Sequence, residues 1–292
     1  MDIYAIILVR GLGLGAILSL VAMGYNVVFS SSGILNFAQG NMFILGGLFG
    51  YLFLSAGPHF LHWWLLLPVA ALTLGALIAV QGYMTLLPLR SSIEQHSWLI
   101  TTLAVSVIIG ATILLVQGSV QRSVPTPFPS FAIFGTHTPA PYAMTVGLAL
   151  LWCLGLHWFH RRTLMGLAIS AIAQDLDAAR AAGIRVRRLQ VIAFGISGLI
   201  VGSAGFVAAP MIAIANDSGV PFALNGFVAA VVGGFGSNVG ALIGGALVGI
   251  FSMYAAYEYG GEFQNAISLG LLIIVLMVRP QGLFGRRQAR RV

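Results

Sequence analysis

The ionisable residues of this chain are few, and their spacing does not suit catalysis. The chain has seven acidic residues and six histidines, and no serine–histidine–acid or paired-carboxylate arrangement stands out among them. His157 and His160 are three residues apart, but no cysteine or carboxylate joins them, so we predict no metal site. The residue types therefore predict neither an enzyme nor a resident cofactor.

Arginine supplies all fourteen basic residues, because the chain contains no lysine. Without lysine it cannot form the GxxxxGK[ST] loop with which P-loop ATPases hold the phosphates of ATP. If an activity of this chain is driven by ATP, the ATPase must be a separate protein. The single cysteine, Cys153, lies in an apolar run, so redox chemistry is not expected either.

Six of the fourteen arginines lie in residues 161–190, a long polar stretch between two apolar blocks. Within it, residues 171–182 (AIAQDLDAARAA) are rich in alanine, the best helix former, and Gly183 follows at a natural C-cap position. This pattern predicts one short helix outside the lipid. The helix either lies passively on the membrane surface or docks on a soluble partner.

The sequence around this polar stretch is typical of helices buried in lipid. Hydrophobic residues make up 59% and charged residues 7%, with a mean hydropathy of +0.97, whereas about a quarter of residues are charged in soluble domains. The apolar runs are continuous, unlike the alternating strands of a barrel. We predict an all-α, polytopic transmembrane helical bundle of about eight spans. Residues 222–232 are too short for a full span, so they either cross with a neighbour or are re-entrant.

The arginines also predict an orientation. Placing residues 161–190 and the tail 279–292 in the cytoplasm leaves only Arg10 and Arg122 outside, as the positive-inside rule favours. The N-terminus and the proline-rich connector 117–141 are then external, and the C-terminus is cytoplasmic. This orientation accounts for the net charge of +7, so nucleic acid is not a predicted partner, whereas membrane lipid is.

Amide side chains lie at a polar break inside the apolar blocks. Asn36, Gln39 and Asn41 belong to the break at residues 30–41, and Asn225 opens the short run in the second half of the chain. Amides at such a point either cap helix ends or line a substrate path. Both roles stay open at this stage.

Two further patterns suggest how the spans pack. The polar breaks 30–41 and 233–238 fall in roughly matching places of the two halves, as in transporters built from two related halves. Fourth-residue spacing, which puts small side chains on one helix face, occurs at Gly236, Gly240 and Gly244, at Gly245 and Gly249, and at Gly198 and Gly202. Such a face allows either close packing or sliding between inward-open and outward-open states.

Three stretches resemble the LivH-type permease family of branched-chain amino acid ABC transporters, and a fourth resembles ABC importer permeases more generally. Residues 33–40 (GILNFAQG) resemble its LNFAxG signature, and residues 278–285 (VRPQGLFG) resemble its RPxGLFG tail. Residues 227–245 are similar to the same family. Residues 177–184 resemble the EAA loop of ABC importer permeases, a short helix that fits a groove on the ATPase, although Asp177 stands where that loop usually has Glu.

The resemblance implies that residues 1–292 form a single permease domain of the bacterial inner membrane. Its partners would be a LivM-like second permease, two ABC ATPase subunits that bind the ATP, and a periplasmic substrate-binding protein. The family carries branched-chain amino acids, and close relatives carry urea, amides or aromatic acids. The residues expected to couple to the ATPase are Gln174, Asp175, Asp177, Ala178, Ala179, Arg180 and Gly183.

The alternative is a stand-alone channel or carrier for a small neutral solute such as urea or an amide. An ion-coupled carrier needs ionisable groups at membrane depth, and all seven acids map to helix ends or loops. A neutral-solute channel passes this test but leaves the polar stretch 161–190 without a role. The sequence therefore favours the ABC permease.

Overall fold

The computed structural model describes residues 2–54, 60–86, 97–126, 128–133 and 136–285, and the loop with Arg90 and the tail beyond Gly285 lie outside these ranges. The described residues form eleven α-helices: α1 (Asp2–Ser32), α2 (Gln39–Leu54), α3 (Phe60–Leu86), α4 (Ser97–Gln117), α5 (Ala140–Arg162), α6 (Leu164–Gln174), α7 (Leu176–Ala181), α8 (Val186–Ala208), α9 (Gly219–Gly233), α10 (Asn238–Glu258) and α11 (Phe263–Val278). Between α4 and α5, the strands β1 (Phe131–Ile133) and β2 (Thr136–Thr138) pair antiparallel. The predicted all-α bundle is confirmed.

Six of the described helices are long and apolar enough to cross a membrane, namely α1, α3, α4, α5, α8 and α10. Two other predicted spans form α2 and α11, which have 16 residues each, and the short run 222–232 lies in α9, which has 15. These three helices rise only about 22–24 Å, whereas the hydrocarbon core is about 30 Å thick. The bundle therefore combines six long helices with shorter apolar helices instead of eight full-length spans.

The two halves of the chain repeat one order of elements. In α1–α4 and again in α8–α11, a long helix is followed by a break, a short helix and two further helices. The start of α8 lies at the end of α1, where the Gln190 side-chain nitrogen donates to the Ser31 carbonyl oxygen at 3.2 Å, so the two helices are antiparallel. The most extensive helix pairings, α1 with α10 and α3 with α8, are equivalent under this repeat. The halves are thus related as an inverted repeat.

The sequence pattern predicted that the break matching residues 30–41 lies at residues 233–238, and this prediction was wrong. The matching break lies at residues 209–218, between α8 and α9. Residues 233–238 form the turn between α9 and α10, in which Gly234 (φ +99°) and Gly236 (φ +81°) adopt conformations that favour glycine. Residues 233–238 (GGFGSN) have the stronger turn composition, whereas residues 209–218 (APMIAIANDS) are mostly apolar, so composition favoured the wrong stretch.

Glycines allow the two halves to pack backbone against backbone. A Cβ atom on Gly15 of α1 would lie 2.7 Å from the Gly245 carbonyl oxygen in α10, and a Cβ atom on Gly249 would collide with the backbone of Gly15. In the equivalent pair, a Cβ atom on Gly198 of α8 would lie 2.7 Å from the Leu74 carbonyl oxygen in α3. The fourth-residue glycine spacing therefore serves close helix packing in both pairs.

We predict that Gly249→Leu destabilises the bundle, because the new side chain has no space against α1. Overpacking of this kind typically costs about 1–3 kcal/mol, so the melting temperature of the detergent-solubilised protein should fall. The matched control is Gly147→Leu in α5, where an added Cβ atom meets nothing within 4 Å. Equal melting temperatures for the two variants would contradict the packing interpretation.

Candidate functional site

Two helices, α6 and α7, replace the single helix predicted over residues 171–182. α6 ends at Gln174, which is exposed, and the chain turns at Asp175. The Asp175 carboxylate accepts hydrogen bonds from the backbone N–H groups of Asp177 (3.1 Å) and Ala178 (3.0 Å). Because an aspartate in this position competes for backbone N–H groups, it ends one helix and caps the next. The prediction of one continuous helix was wrong here.

The other end of α7 has the geometry that Gly183 predicts. Gly183 has φ +81°, and its N–H donates to the Arg180 carbonyl oxygen at 3.0 Å. The N–H of Ile184 donates to the Ala179 carbonyl oxygen at 3.1 Å. These bonds satisfy the last carbonyl groups of the helix. Since α8 begins at Val186, α7 is joined to a membrane-length helix by a tight turn.

The two central alanines of α7 differ in exposure. Ala178 is exposed, whereas Ala179 is 4% exposed and packs in a small apolar cluster with residues of α6 and α8. Asp177 and Arg180 are exposed, and a guanidinium nitrogen of Arg180 lies 3.4 Å from a carboxylate oxygen of Asp177. Such a surface ion pair contributes little to stability. The outer face of α7 therefore presents Asp177, Ala178 and Arg180, while Ala179 holds the helix on the bundle.

An open cavity of about 1290 Å³ lies between α6 and the rest of the bundle. Its walls are the end of α1, the last turns of α5, α6 itself and the turn before α10. His157, His160 and Arg161 line it from α5, and the described lining residues include no acid. Among the described residues, no group of three or more His, Cys, Asp or Glu side chains could hold a metal ion.

The break between α1 and α2 is held by an exchange of two amide hydrogen bonds. The Asn36 side-chain nitrogen donates to Gln81 Oε1 of α3 at 3.1 Å, and the Gln81 nitrogen donates to Asn36 Oδ1 at 2.8 Å. Asn36 Oδ1 also accepts the N–H of Ala38 at the start of α2, at 3.1 Å. Asn36 is fully buried, so these bonds take the place of water. These bonds hold the break in position just before α2 begins at Gln39.

Gln39 ties the same break to α1 and α8. Its side-chain nitrogen donates to the Val21 carbonyl oxygen at 3.4 Å, and its Oε1 accepts the Ser197 hydroxyl at 3.1 Å. Sequence reasoning missed Gln81, Ser106 and Ser197, which lie 45, 65 and 158 residues from their amide partners. The signal available for them was their polarity within apolar spans.

Asn41 lies where the two short helices α2 and α9 begin side by side. Its side-chain nitrogen donates to the carbonyl oxygen and the hydroxyl of Ser106 in α4, at 2.6 and 2.9 Å. The side-chain carbonyl oxygen of Asn41, Oδ1, is buried without a hydrogen-bond partner and lies against Gly219, the first residue of α9. The neighbouring Gly40 meets the Gly219 backbone with no room for a side chain. Two helix N-termini and one unpaired acceptor therefore converge inside the bundle.

Asn225 lies apart from the other three predicted amides. It does not open its helix, as the sequence suggested, because α9 begins six residues earlier, at Gly219. Its side-chain nitrogen donates to Asn265 Oδ1 of α11 at 2.9 Å, on the outer surface of the bundle. Of the four amide residues predicted for the substrate path, three therefore lie in one buried cluster, whereas Asn225 pairs with Asn265 on the surface.

Long apolar helices, two half-length helices that begin together within the bundle, and a capped helix pair outside it define a multi-pass membrane permease. Residues 7–276 match the family described as the permease component of the branched-chain amino acid transport system, and the chain belongs to that family. The family resemblance of the sequence motifs is thereby confirmed.

Curated relatives match over nearly the whole chain. The chain is 30% identical over 300 residues to the high-affinity branched-chain amino acid permease protein LivH of Salmonella typhimurium, covering 97% of this chain and 96% of the relative. It is 28% identical over 308 residues to BraD of Pseudomonas aeruginosa, covering 98% and 97%. It is 27% identical over 295 residues to LivM of Escherichia coli, covering 90% and 67%. No solved structure matches the chain.

We predict that Asn36→Ala and Gln81→Ala each destabilise the fold by about 1–3 kcal/mol, because each leaves a buried amide unpaired. The double variant should lose clearly less than the sum, because its second change removes the orphaned amide. Reversible denaturation of the four proteins measures this cycle. As a control, Asn36→Ala combined with Ser203→Ala, whose hydroxyl bonds Trp152 instead, should be additive. Additive losses in the Asn36–Gln81 cycle would show that the two amides do not act as a pair.

Proposed function

We propose that this chain is a permease subunit of an ATP-binding-cassette importer and that it carries branched-chain or chemically related amino acids. The names of LivH and BraD specify branched-chain amino acid transport, and their similarity extends over nearly the whole chain. The energy comes from two separate ATPase subunits, since the chain has no lysine for a P-loop. A LivM-like second permease and a periplasmic substrate-binding protein complete the importer.

The observation that carries the proposal is the helix α7. Its outer face is exposed, it is capped at both ends by Asp175 and Gly183, and it passes directly into α8. Its small exposed residue, Ala178, lets the helix enter a groove deeply, and the charges of Asp177 and Arg180 set its register. Residues 174–183 form the ATPase-coupling segment in this proposal, with Ala179 acting by holding α7 in place.

This role puts α6 and α7 in the cytoplasm, the orientation that the arginines favour. Arg161 and Arg162 end α5 on that side, and Arg185 precedes α8. The N-terminus and the connector between α4 and α5 are then on the periplasmic side of the inner membrane, and the C-terminus is cytoplasmic. α9 ends on the cytoplasmic side and begins inside the bundle, so it is a half-helix.

We place the substrate path at the junction of α2 and α9. Helix N-termini carry partial positive charge, which suits the carboxylate of an amino acid in a bundle that has few charged side chains. The unpaired carbonyl oxygen of Asn41 is an acceptor for the ammonium group of the substrate. Asn36 and Gln39 then serve the path by holding the start of α2 in position.

We predict that Ala178→Glu abolishes co-purification with the ATPase subunits and ATP-dependent leucine uptake, while the melting temperature of the permease stays unchanged. The reason is that the new side chain is exposed and blocks only the docking surface. Ser119→Glu, exposed beyond the other end of the bundle, is the control and should leave both activities intact. Ala179→Glu should instead lower the melting temperature, because Ala179 is buried.

Unchanged ATPase binding in the Ala178→Glu complex would refute the docking role of α7. Uptake of urea or an amide by the purified chain alone, in vesicles without ATP, would favour the stand-alone channel instead. Uptake that requires ATP and all subunits supports the importer.

We predict that Asn41→Leu lowers ATP-dependent leucine uptake at least tenfold when uptake is normalised to the amount of folded complex. Leucine has nearly the same shape and removes the buried side-chain carbonyl oxygen that has no partner, but it also removes the two hydrogen bonds to Ser106, so the melting temperature should fall moderately. The control is Thr102→Val in α4, a buried hydroxyl that bonds only its own helix, at the Leu99 carbonyl oxygen. Equal uptake by the two variants would remove Asn41 from the path.

A further inference from the structure

The hydrogen-bonded pair Asn225–Asn265 lies on the outer surface of the bundle, where lipid tails cannot satisfy its polar groups. The two amides join α9 to α11 by a single hydrogen bond of 2.9 Å, with Asn265 exposed and Asn225 half-buried. Each amide group has two N–H donors and a carbonyl acceptor. One bond between them uses one donor of Asn225 and one acceptor site of Asn265, so most of their hydrogen-bonding capacity remains.

The pair lies at membrane depth. α9 and α11 end on the same side of the bundle, because the chain after α11 returns to α9, where the N–H groups of Leu283 and Phe284 donate to the carbonyl oxygens of Val232 and Gly233 at 2.9 and 3.0 Å. At about 1.5 Å per residue, Asn225 lies about 12 Å from the end of α9 and Asn265 about 20 Å from the end of α11. Both positions fall inside a hydrocarbon core about 30 Å thick.

Two exposed hydroxyls in the spans show how a polar group can be satisfied locally, which the pair is not. The hydroxyls of Thr73 and Thr112 return their hydrogen bonds to carbonyl oxygens of their own helices, those of Val69 and Ile108. The remaining amide groups of the Asn225–Asn265 pair have no such partner among the described residues. Hydrocarbon offers none, and an unsatisfied polar group there costs free energy.

The surface beside the pair also permits close approach of another helix. On α11, Ala266 and Gly270 lie one turn apart on the flank beside Asn265, and an added Cβ atom on Gly270 would meet nothing within 4 Å. Leu269 of α11 and Leu224 of α9 border this face and are about half exposed. Small residues that let backbones approach, together with a polar group that bonds across, are the features by which membrane helices associate.

We propose that the α9–α11 face centred on Asn225 and Asn265 is the surface on which the second, LivM-like permease subunit docks. This inference rests on the proposed function, which supplies that subunit. The partner must be a membrane-spanning chain with hydroxyl or amide groups at the same depth, since neither lipid tails nor a soluble ATPase can supply them there. LivM of Escherichia coli matches 90% of this chain, so a partner of this type shares its helical architecture.

The direct test uses the complete importer in its membrane, with the photoreactive residue p-benzoylphenylalanine placed at Leu269. The matched control places the photoreactive residue at Leu151 of α5. Leu151 is 64% exposed and Leu269 is 50% exposed, so both are exposed leucines of apolar helices. After irradiation, the Leu269 position should give a covalent adduct whose peptides come from the second permease, and the Leu151 position should give only lipid adducts. Lipid adducts alone at both positions, or an adduct with a second copy of this chain, would overturn the assignment.

A second measurement does not depend on the photoreactive group. The double variant Asn225→Leu with Asn265→Leu should reduce co-purification of the two permeases at least tenfold, while the isolated chain keeps its melting temperature. Co-purification at the original level would overturn the proposal. ATP-dependent uptake by the unmodified complex is measured in parallel. If the complex takes up leucine but no adduct with the second permease forms, only the docking surface is refuted. If the complex shows no ATP-dependent uptake, the proposed function is refuted.

Discussion

A membrane-buried chain must satisfy every backbone N–H and C=O group from within, and this constraint decides how the permease can interrupt its helices. The two equivalent breaks meet it differently. Between α1 and α2, the Asn36 side chain supplies the acceptor for the start of the new helix. Between α8 and α9, the chain pairs instead with the connector, since Arg122 and Ile214 exchange backbone hydrogen bonds of 3.0 and 2.9 Å. The first break is thus held by side chains from other helices, whereas the second is held in part by the backbone of the connector.

The breaks and the glycines together interlock the two halves. Each short helix packs on the long helix of the other half, α2 on α8 and α9 on α1, while α10 and α3 complete the same exchange. Glycines make this possible, because Gly205 of α8 meets the backbone of α2 at Phe43, and Gly226 of α9 lies against Val21 of α1. The junction of α2 and α9 is thus enclosed by helices from both halves, so neither half could form it alone.

Sequence patterns predicted what depends on local residue order. Continuous apolar runs indicated the helical bundle, and Gly183 indicated the end of α7, because helix caps are local structures. Asp175 carried a local signal for a helix start, but the alanine-rich run around it favoured one unbroken helix. The partners Gln81, Ser106 and Ser197 had no local signal, since their pairing depends on helices that meet only in the fold. The first break was matched to residues 233–238 instead of 209–218 for the same reason, since the repeat is defined by helices that pair only in the fold.

The helix α8 connects α7, which is proposed to dock on the ATPase, with the buried amide side chains at the first break. α7 passes through the Gly183 turn into α8, and the first turn of α8 is fixed against α3, where the Arg187 guanidinium lies 5.5 Å from the centre of the Tyr83 ring. Further along α8, Gln190 bonds the end of α1 and Ser197 bonds Gln39 at the start of α2. A displacement of α7 therefore acts on both sides of the first break through a single rigid helix. Because close-packed helices shift as units and do not deform continuously, a shift of α8 has to be absorbed at the breaks that α8 joins, the one between α1 and α2 and the one at residues 209–218 where α8 itself ends.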